Sequence, residues 1–308
     1  MHPSKKVLLI GLLIIYFFSS HAQSIRTSNL IKHLNYLASD ELGGRKTGTE
    51  GNAMARTYIL EEFEKIGLET HYLDMQQAFT FQNRREQKEY TGINVVAFVP
   101  GTETKKLIVL TAHYDHVGIR AKNTEGDSIY NGADDNASGT AALLELAKYF
   151  SENPPRHSMI FAALDAEEMG LQGARALLRD FPFDLEQIEV NVNMDMISRS
   201  DKGELYASGT YHHPQLKSIL ENASSGQKPT LLFGHDLPDT GADDWSYSSD
   251  HGAFLEKGIP FVYFGVEDHE DYHQPSDEYH AIDSEFFVDA MNLILKCVLE
   301  LDEQLINP

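Results

Sequence analysis

The chain has 308 residues, and its 25 Lys and Arg against 47 Asp and Glu give a formal net charge of −22. Such an acidic protein has no basic surface for the phosphates of nucleic acid, so we expect no nucleic-acid partner. The length beyond residue 22 suits one large domain or two small ones. Because no linker rich in Pro or Ser divides it, we expect a single domain over residues 23–308.

Residues 1–22 have the three parts of a secretory signal peptide. Lys5 and Lys6 form a charged start, residues 7–18 an apolar core, and Ser20-His21-Ala22 a small-x-small cleavage site. The apolar stretch is short for a membrane span, although an uncleaved anchor is the alternative. We therefore expect an exported, periplasmic or secreted protein that starts at Gln23 and has no integral membrane segment once the signal is removed.

Hydrophobic patterns predict helices alternating with buried strands. Helical spacing covers residues 28–37, 51–66, 139–150 and 284–301. Continuous apolar or β-branched runs predict strands at 93–99, 106–113, 158–165, 189–196 and 260–265. This alternation predicts an α/β fold with a largely parallel sheet covered on both faces.

Acidic residues and histidines follow the predicted strands, at the ends where such sheets bind ligands. The strand segments end in TAHYDH, DAEE and NMDM, and the loops 131–139 and 267–278 read NGADDNASG and EDHEDYHQPSDE. Each feature alone has an ordinary explanation. His113 could be a satisfied core histidine, His273 a solvated one, and Asp135 or the pair Glu167-Glu168 could cap a helix.

Taken together, these side chains indicate a metal site. Several carboxylates and two histidines at one sheet edge are not expected in a packed core, because charged side chains are rarely buried without partners. Their mutual repulsion requires a cation, and imidazoles with carboxylates but no thiolate suit zinc or a similar divalent ion.

The order H-x-D, D-D-x-x-S-G, E-E, M-D and Y-H-x-P-x-D resembles the co-catalytic zinc exopeptidases. These include the secreted bacterial leucyl aminopeptidases, glutamate carboxypeptidase and the glutaminyl cyclases. The stretches 43–69 and 248–264 are also similar, so the resemblance covers roughly the whole chain beyond residue 22. It implies a three-layer sandwich with a central mixed, mostly parallel twisted sheet, peptide substrates and two zinc ions per chain.

The resemblance also implies the metal ligands. One ion would be held by His113 and Asp195, the other by Glu168 and His273, and Asp135 would bridge them.

Two neighbouring residues are not chosen as ligands. Asp134 and His269 lie outside the positions that match the family motifs. The family pattern further implies a cis peptide bond between Asp135 and Asn136.

Three other residues receive catalytic roles from the resemblance. Glu167 would be the general base that takes a proton from the attacking water. Asp115 would orient His113 by accepting from its other ring nitrogen. Tyr272 would either hydrogen-bond the oxyanion or pack in its loop. His116, by contrast, is expected to be a rim residue rather than a ligand.

Segments near residue 250 allow two interpretations. Asp250-His251 could support Glu167 or cap the following helix, and the polar loop 233–250 could shape a substrate pocket or be solvated.

Three classes of function compete for this sequence. A zinc aminopeptidase is the first, and a glutaminyl cyclase is the second. A binding module that resembles these enzymes but lacks the ligands, like the transferrin receptor ectodomain, is the third. All five ligand positions are filled here, which disfavours the binding module, and Tyr272 stands where the cyclases carry Trp. Carboxypeptidase or dipeptidase activity stays open.

Overall fold

The structure is a computed structural model and describes residues 25–124 and 126–305, so the predicted signal peptide and Gln23 lie outside the described residues. The helices are α1 (Thr27–Leu37), α2 (Glu50–Lys65), α3 (Gly139–Glu152), α4 (Gln172–Arg179), α5 (Lys217–Ser224), α6 (His251–Leu255) and α7 (Ser284–Gln304). The strands are β1 (Gln76–Asn83), β2 (Lys88–Val99), β3 (Leu107–His113), β4 (Gly118–Ile119), β5 (Ile129–Tyr130), β6 (Ser158–Leu164), β7 (Ile188–Met194), β8 (Glu204–Ser208), β9 (Thr230–Phe233) and β10 (Phe261–Gly265).

Eight of these strands form one mixed sheet in the order β1-β2-β6-β3-β7-β10-β8-β9. The four central strands, β6, β3, β7 and β10, run parallel, and Leu110 of β3 lies opposite Phe161 of β6 and Val192 of β7. The hairpin β1–β2 and strand β8 introduce the antiparallel pairs, while β4 and β5 form a separate small ribbon. The predicted α/β fold with a mixed, mostly parallel central sheet is confirmed.

Helices cover both faces of this sheet because its central strands are apolar on both sides. In β3, Ile108 and Leu110 pack into the core that also contains residues of α1, α2, α3, α5 and α7. The alternate residues Leu107 and Val109 pack into the core shared with α4 and α6. The result is the expected three-layer arrangement. Among the helices of the described ranges, none is both long and apolar enough to span a bilayer.

The polar residues that end or follow the parallel strands lie at one edge of the sheet. His113 is the last residue of β3, Asp195 directly follows β7, and Glu167 and Glu168 come shortly after β6. The segment 266–278 follows β10, and the irregular turn Ala133–Ser138 leads into α3. Since carboxyl ends of parallel strands meet at one edge, these segments converge.

Candidate metal centre

His113 directs its Nε2 atom at two carboxylates. This nitrogen lies 3.3 Å from Oδ2 of Asp195 and 3.5 Å from Oδ1 of Asp135. All three residues are buried. They form what we call the first donor cluster: His113, Asp135 and Asp195.

The second oxygen of Asp135 faces another group of donors. It lies 3.0 Å from Nε2 of His273 and 3.6 Å from Nδ1 of His116. Oε1 of Glu168 lies 3.2 Å from Nε2 of His273 and 2.8 Å from Nδ1 of His116. We call these four residues, His116, Asp135, Glu168 and His273, the second donor cluster. The two clusters share Asp135.

Several atoms of both clusters have no hydrogen-bond partner among the described residues. They are Nε2 of His113, both ring nitrogens of His116, Oε1 of Glu168 and Oδ1 of Asp195. Buried polar atoms are normally paired, so this group of unpaired donors requires an explanation. Within each cluster the donor atoms lie within 4.8 Å of one another. Nitrogen and oxygen donors without thiolates fit zinc, and two clusters joined by one carboxylate fit two such ions.

The backbone around Asp135 is held from two directions. The carboxylate of Asp277 accepts the N–H groups of Asp134 and Asp135 at 2.9 and 3.0 Å. The peptide bond between Asp135 and Asn136 is cis, as the resemblance predicts. The Asn136 amide donates to the carbonyl of Met194 at 2.9 Å, which ties this turn to the end of β7.

Asp134 and His269 lie away from both clusters. Oδ1 of Asp134 accepts from the N–H and hydroxyl of Ser198, both at 2.7 Å, and Oδ2 lies 3.1 Å from Nε2 of His269. The structure therefore brings Asp135 and His273, rather than these two residues, to the donor clusters.

The adjacent residues Glu167 and Glu168 occupy opposite electrostatic environments. Burial, reinforced by the carboxylates of Glu168, Asp250 and Asp195, raises the pKa of Glu167 well above its ordinary value despite the opposing charge of His113. Burial would also raise the pKa of Glu168, but the imidazoles of His116 and His273 outweigh it and hold this pKa below its ordinary value. Two carboxyls with opposite shifts suit two roles, one exchanging protons and one remaining a ligand.

Asp115 contacts the site differently from the sequence-based expectation. His113 Nδ1 lies 3.1 Å from the backbone carbonyl of Asp115 and 3.7 Å from its carboxylate. That carboxylate instead accepts the N–H of Glu167 at 3.0 Å and the hydroxyl of Thr47 at 3.4 Å. Asp115 thus contacts both the imidazole and the segment that carries Glu167.

A cavity of about 160 Å³ opens beside the clusters. Its walls include Trp245 from the loop 233–250, Tyr263, Tyr272 and Asp268. The Tyr272 ring stacks on the imidazole of His273, with centroids 4.1 Å apart.

Asp250 is fully buried, and its side chain does not cap α6. Its side chain makes no capping hydrogen bond, so the capping interpretation is wrong. Burial, the largest effect, raises the pKa of this carboxyl to about 7.

A larger groove of about 880 Å³ lies on the other side of Glu167 and Glu168. The turn between β1 and β2 forms one wall, and the lining includes the cations Lys46, Arg84, Arg85 and Arg120. Lys46 is paired with Glu86 at 2.8 Å. The site is therefore acidic on the side of the small cavity and has cationic side chains on the side of the groove.

Arg45 is a fully buried cation under the site. It donates to four carbonyls, those of Leu37, Tyr114, Asn131 and Gly132, at 2.5–3.0 Å. Burial lowers its pKa to about 10, while the nearby carboxylates oppose this change. Arg45 thus joins the end of β3 to the loop before Asp135.

Sequence reasoning missed the positions of two side chains. His116 is 1% exposed and belongs to the second donor cluster, so the expectation of a rim residue is wrong. The second histidine of the sequence HYDH was the signal that could have indicated this additional donor. Arg45 stands in the stretch GGRKTG, but a lone arginine beside glycines gives no sign of burial.

Comparison with known proteins identifies the family of this chain. The model of Peptidase family M28 matches residues 94–298. The chain therefore belongs to Peptidase family M28.

Individual relatives are more distant. A probable zinc metalloprotease of Pyrenophora tritici-repentis is 26% identical over 80% of this chain, which spans 64% of that relative. Aminopeptidase YwaD of Bacillus subtilis is 30% identical over 63% of this chain and 41% of that protein. The chain thus spans less than two thirds of these relatives.

Solved structures share the fold. An aminopeptidase from Aneurinibacillus sp. strain AM-1 superposes with a TM-score of 0.72 at 16% identity, covering 89% of this chain and 93% of that one. Porphyromonas gingivalis glutaminyl cyclase superposes with a TM-score of 0.73 at 17% identity, covering 91% of this chain and 99% of that one.

Proposed function

We propose that the chain is an exported aminopeptidase that binds two zinc ions and hydrolyses the first peptide bond of its substrates. The observation that carries this proposal is the pair of donor clusters sharing Asp135, with Glu167 beside both. His113, Asp135 and Asp195 would hold one ion, and Asp135, Glu168 and His273 the other. Bound zinc would supply a Lewis acid that polarises the scissile carbonyl and lowers the pKa of water.

Glu167 performs the proton transfers in this proposal. Its carboxylate accepts a proton from the attacking water, whose oxygen forms the new bond to the carbonyl carbon. Glu167 then passes that proton to the leaving amine nitrogen as the C–N bond breaks. Asp115 positions Glu167 by accepting its backbone N–H. The Tyr272 hydroxyl donates to the oxyanion that develops on the carbonyl oxygen.

The unequal spaces on the two sides of Glu167 support cleavage near a chain end. The cavity of about 160 Å³ suits a single side chain, whereas the groove of about 880 Å³ has room for a peptide. Asp268 lines the cavity without belonging to either donor cluster, and its carboxylate attracts a free amine and repels a terminal carboxylate. This charge distribution favours an amino-terminal over a carboxy-terminal residue in the cavity.

Assays with matched substrates test the proposal. Zinc-loaded protein is incubated with leucine amide, a Leu-initiated tripeptide, the same tripeptide acetylated at its amino terminus, and a Gln-initiated tripeptide. We expect release of the first residue from the free tripeptides and none from the acetylated one. Formation of pyroglutamate from the Gln peptide without hydrolysis would identify a cyclase. Hydrolysis of the acetylated peptide at its carboxyl end would identify a carboxypeptidase.

Export rests on the signal-like leader and has a separate test. The mature protein recovered from outside the cytoplasm should begin at Gln23, either as Gln or cyclised. Mass spectrometry that finds residues 1–22 still attached would contradict export by cleavage.

A further inference from the structure

We propose that His116 is a metal ligand, so that the second ion has four protein donors and the first has three. This inference concerns the two ions of the proposed function, but it does not depend on the substrate. It makes the two ions unequal in affinity. The ion near His116 would be the tightly held one, and the ion near His113 the exchangeable one.

The position of His116 is the first argument. Its side chain is buried, and Nδ1 lies 2.8 Å from Oε1 of Glu168 and 3.6 Å from Oδ2 of Asp135. Around zinc with bond lengths of about 2.0–2.1 Å, tetrahedral donors stand about 3.3 Å apart. The four contacts measured in this cluster, between 2.8 and 3.6 Å, scatter around that value.

The short contact between His116 and Glu168 does not have hydrogen-bond geometry. Neither Nδ1 of His116 nor Oε1 of Glu168 has a partner with hydrogen-bond geometry among the described residues. Two buried polar atoms that are close but not bonded to each other would share a third partner. The nearby Asp135 and His273 indicate a cation as that partner, because their donor atoms approach the same region.

The surrounding chain makes room for this imidazole. A Cβ atom at Gly132 would lie 2.6 Å from Cδ2 of His116, so only glycine leaves space for the ring there. On another side the ring meets the edge of His273, with centroids 5.5 Å apart. The backbone N–H of His116 donates to the carbonyl of Arg45 at 3.4 Å. The ring is thus held in place between fixed neighbours.

The unequal donor numbers have a chemical consequence. Four protein donors fill the coordination of a tetrahedral zinc ion, whereas three leave a position open. The first cluster therefore retains room for an exogenous group, and the second holds its ion closed. On stepwise loading, zinc should occupy the second cluster first.

Stepwise zinc affinities of the metal-free protein test this inference without any substrate. Competition with a chromophoric chelator is measured for the unaltered protein, His116→Ala, His113→Ala and the exposed-histidine control His280→Ala. We expect His116→Ala to weaken the tighter ion by at least about tenfold. His113→Ala should weaken only the other ion, and His280→Ala neither. The inference is overturned if His116→Ala leaves both affinities unchanged, or weakens the same ion as His113→Ala.

Cobalt spectra separate a ligand from a residue that only supports one. With one equivalent of Co²⁺, loss of a nitrogen donor changes the visible absorption bands, whereas a supporting role leaves them unchanged. His116→Asn serves as a second variant, and circular dichroism of the metal-free proteins verifies their fold. Identical cobalt spectra for the unaltered protein and both variants would also overturn the inference.

Discussion

The carboxylate of Asp277 accepts the backbone N–H of Asp135 at 3.0 Å and so connects the segment after β10 to the turn before α3. Its other oxygen accepts the N–H of Asp134 at 2.9 Å. The loop that carries His273 thereby positions the carboxylate shared by both donor clusters. The two sides of the centre are coupled through one buried residue.

We expect Asp277→Ala to lower zinc affinity at both clusters by about 10–100-fold, because outer partners orient the ligands. Asp277→Asn should lower zinc affinity less than Asp277→Ala does, since its amide oxygen replaces only one of the two acceptors. Chelator competition measures the effect, and the exposed Glu270→Ala in the same segment is the control. Unchanged affinity in Asp277→Ala would show that the turn holds its shape alone.

The sequence predicts the centre of the sheet well and its edges poorly. Strands β3 and β6 consist of buried residues throughout, so their apolar runs were clear. Strand β1 has the polar sequence QQAFTFQN, and β9 has only four residues, so neither gives a comparable signal. Helices α4 and α6, with eight and five residues, are too short for a reliable period.

The candidate site could likewise be predicted from the sequence only in part. Motif order predicts which carboxylates and imidazoles converge, because each follows a strand of known direction. It cannot show that His116 faces Glu168, since that depends on how the chain turns after β3. Nor can it show that Arg45 reaches the carbonyls of Tyr114 and Gly132, far along the chain.

We expect Glu167→Gln to lower kcat by about 10²–10⁴-fold, because the amide cannot accept the proton from water. Zinc content should remain that of the unaltered protein, since Glu167 is not a member of either donor cluster. Glu168→Gln is the matched variant, and we expect it to lose zinc. Normal turnover in Glu167→Gln would show that Glu167 is not the base. Loss of zinc from this variant would indicate that Glu167 is the ligand and Glu168 the base.

Tyr272→Phe separates an oxyanion donor from a packing residue. The ring should keep its stacking on His273, while the hydroxyl is removed. We expect kcat to fall on the order of a hundredfold with little change in KM and zinc content. A kcat equal to that of the unaltered enzyme would assign Tyr272 to packing alone.

Replacing Arg45 by Lys should destabilise the fold and weaken zinc binding together. An ammonium group on a flexible stem cannot donate to four carbonyls in divergent directions, and buried carbonyls would lose their partners. We expect the free energy of unfolding to fall on the order of 3 kcal/mol. Urea denaturation of the metal-free protein measures it, with the exposed Arg84→Lys as control. A stability equal to that of the control would contradict the proposed positioning role.

The last prediction concerns a buried carboxylate far from the metal centre. Asp302 of α7 accepts the N–H groups of Arg156 and His157 at 2.8 and 2.7 Å and lies 3.0 Å from Nδ1 of His157. Burial alone would raise the pKa of Asp302, but the imidazole of His157 and the two N–H groups outweigh it and lower this pKa. Asp302 therefore links the carboxy-terminal helix to the segment before β6.

Because the folded pKa is lowered, the stabilisation by ionised Asp302 is fully present above its unfolded pKa of about 3.9. It is lost as the pH falls through the folded value. We expect Asp302→Asn to lower the free energy of unfolding by about 1–3 kcal/mol at neutral pH, and the difference to shrink below about pH 4. Denaturation of the metal-free proteins between pH 7 and 3 measures this, with Asp289→Asn on the same helix as control. A difference that stays constant over this range would show that the charge of Asp302 does not stabilise the fold.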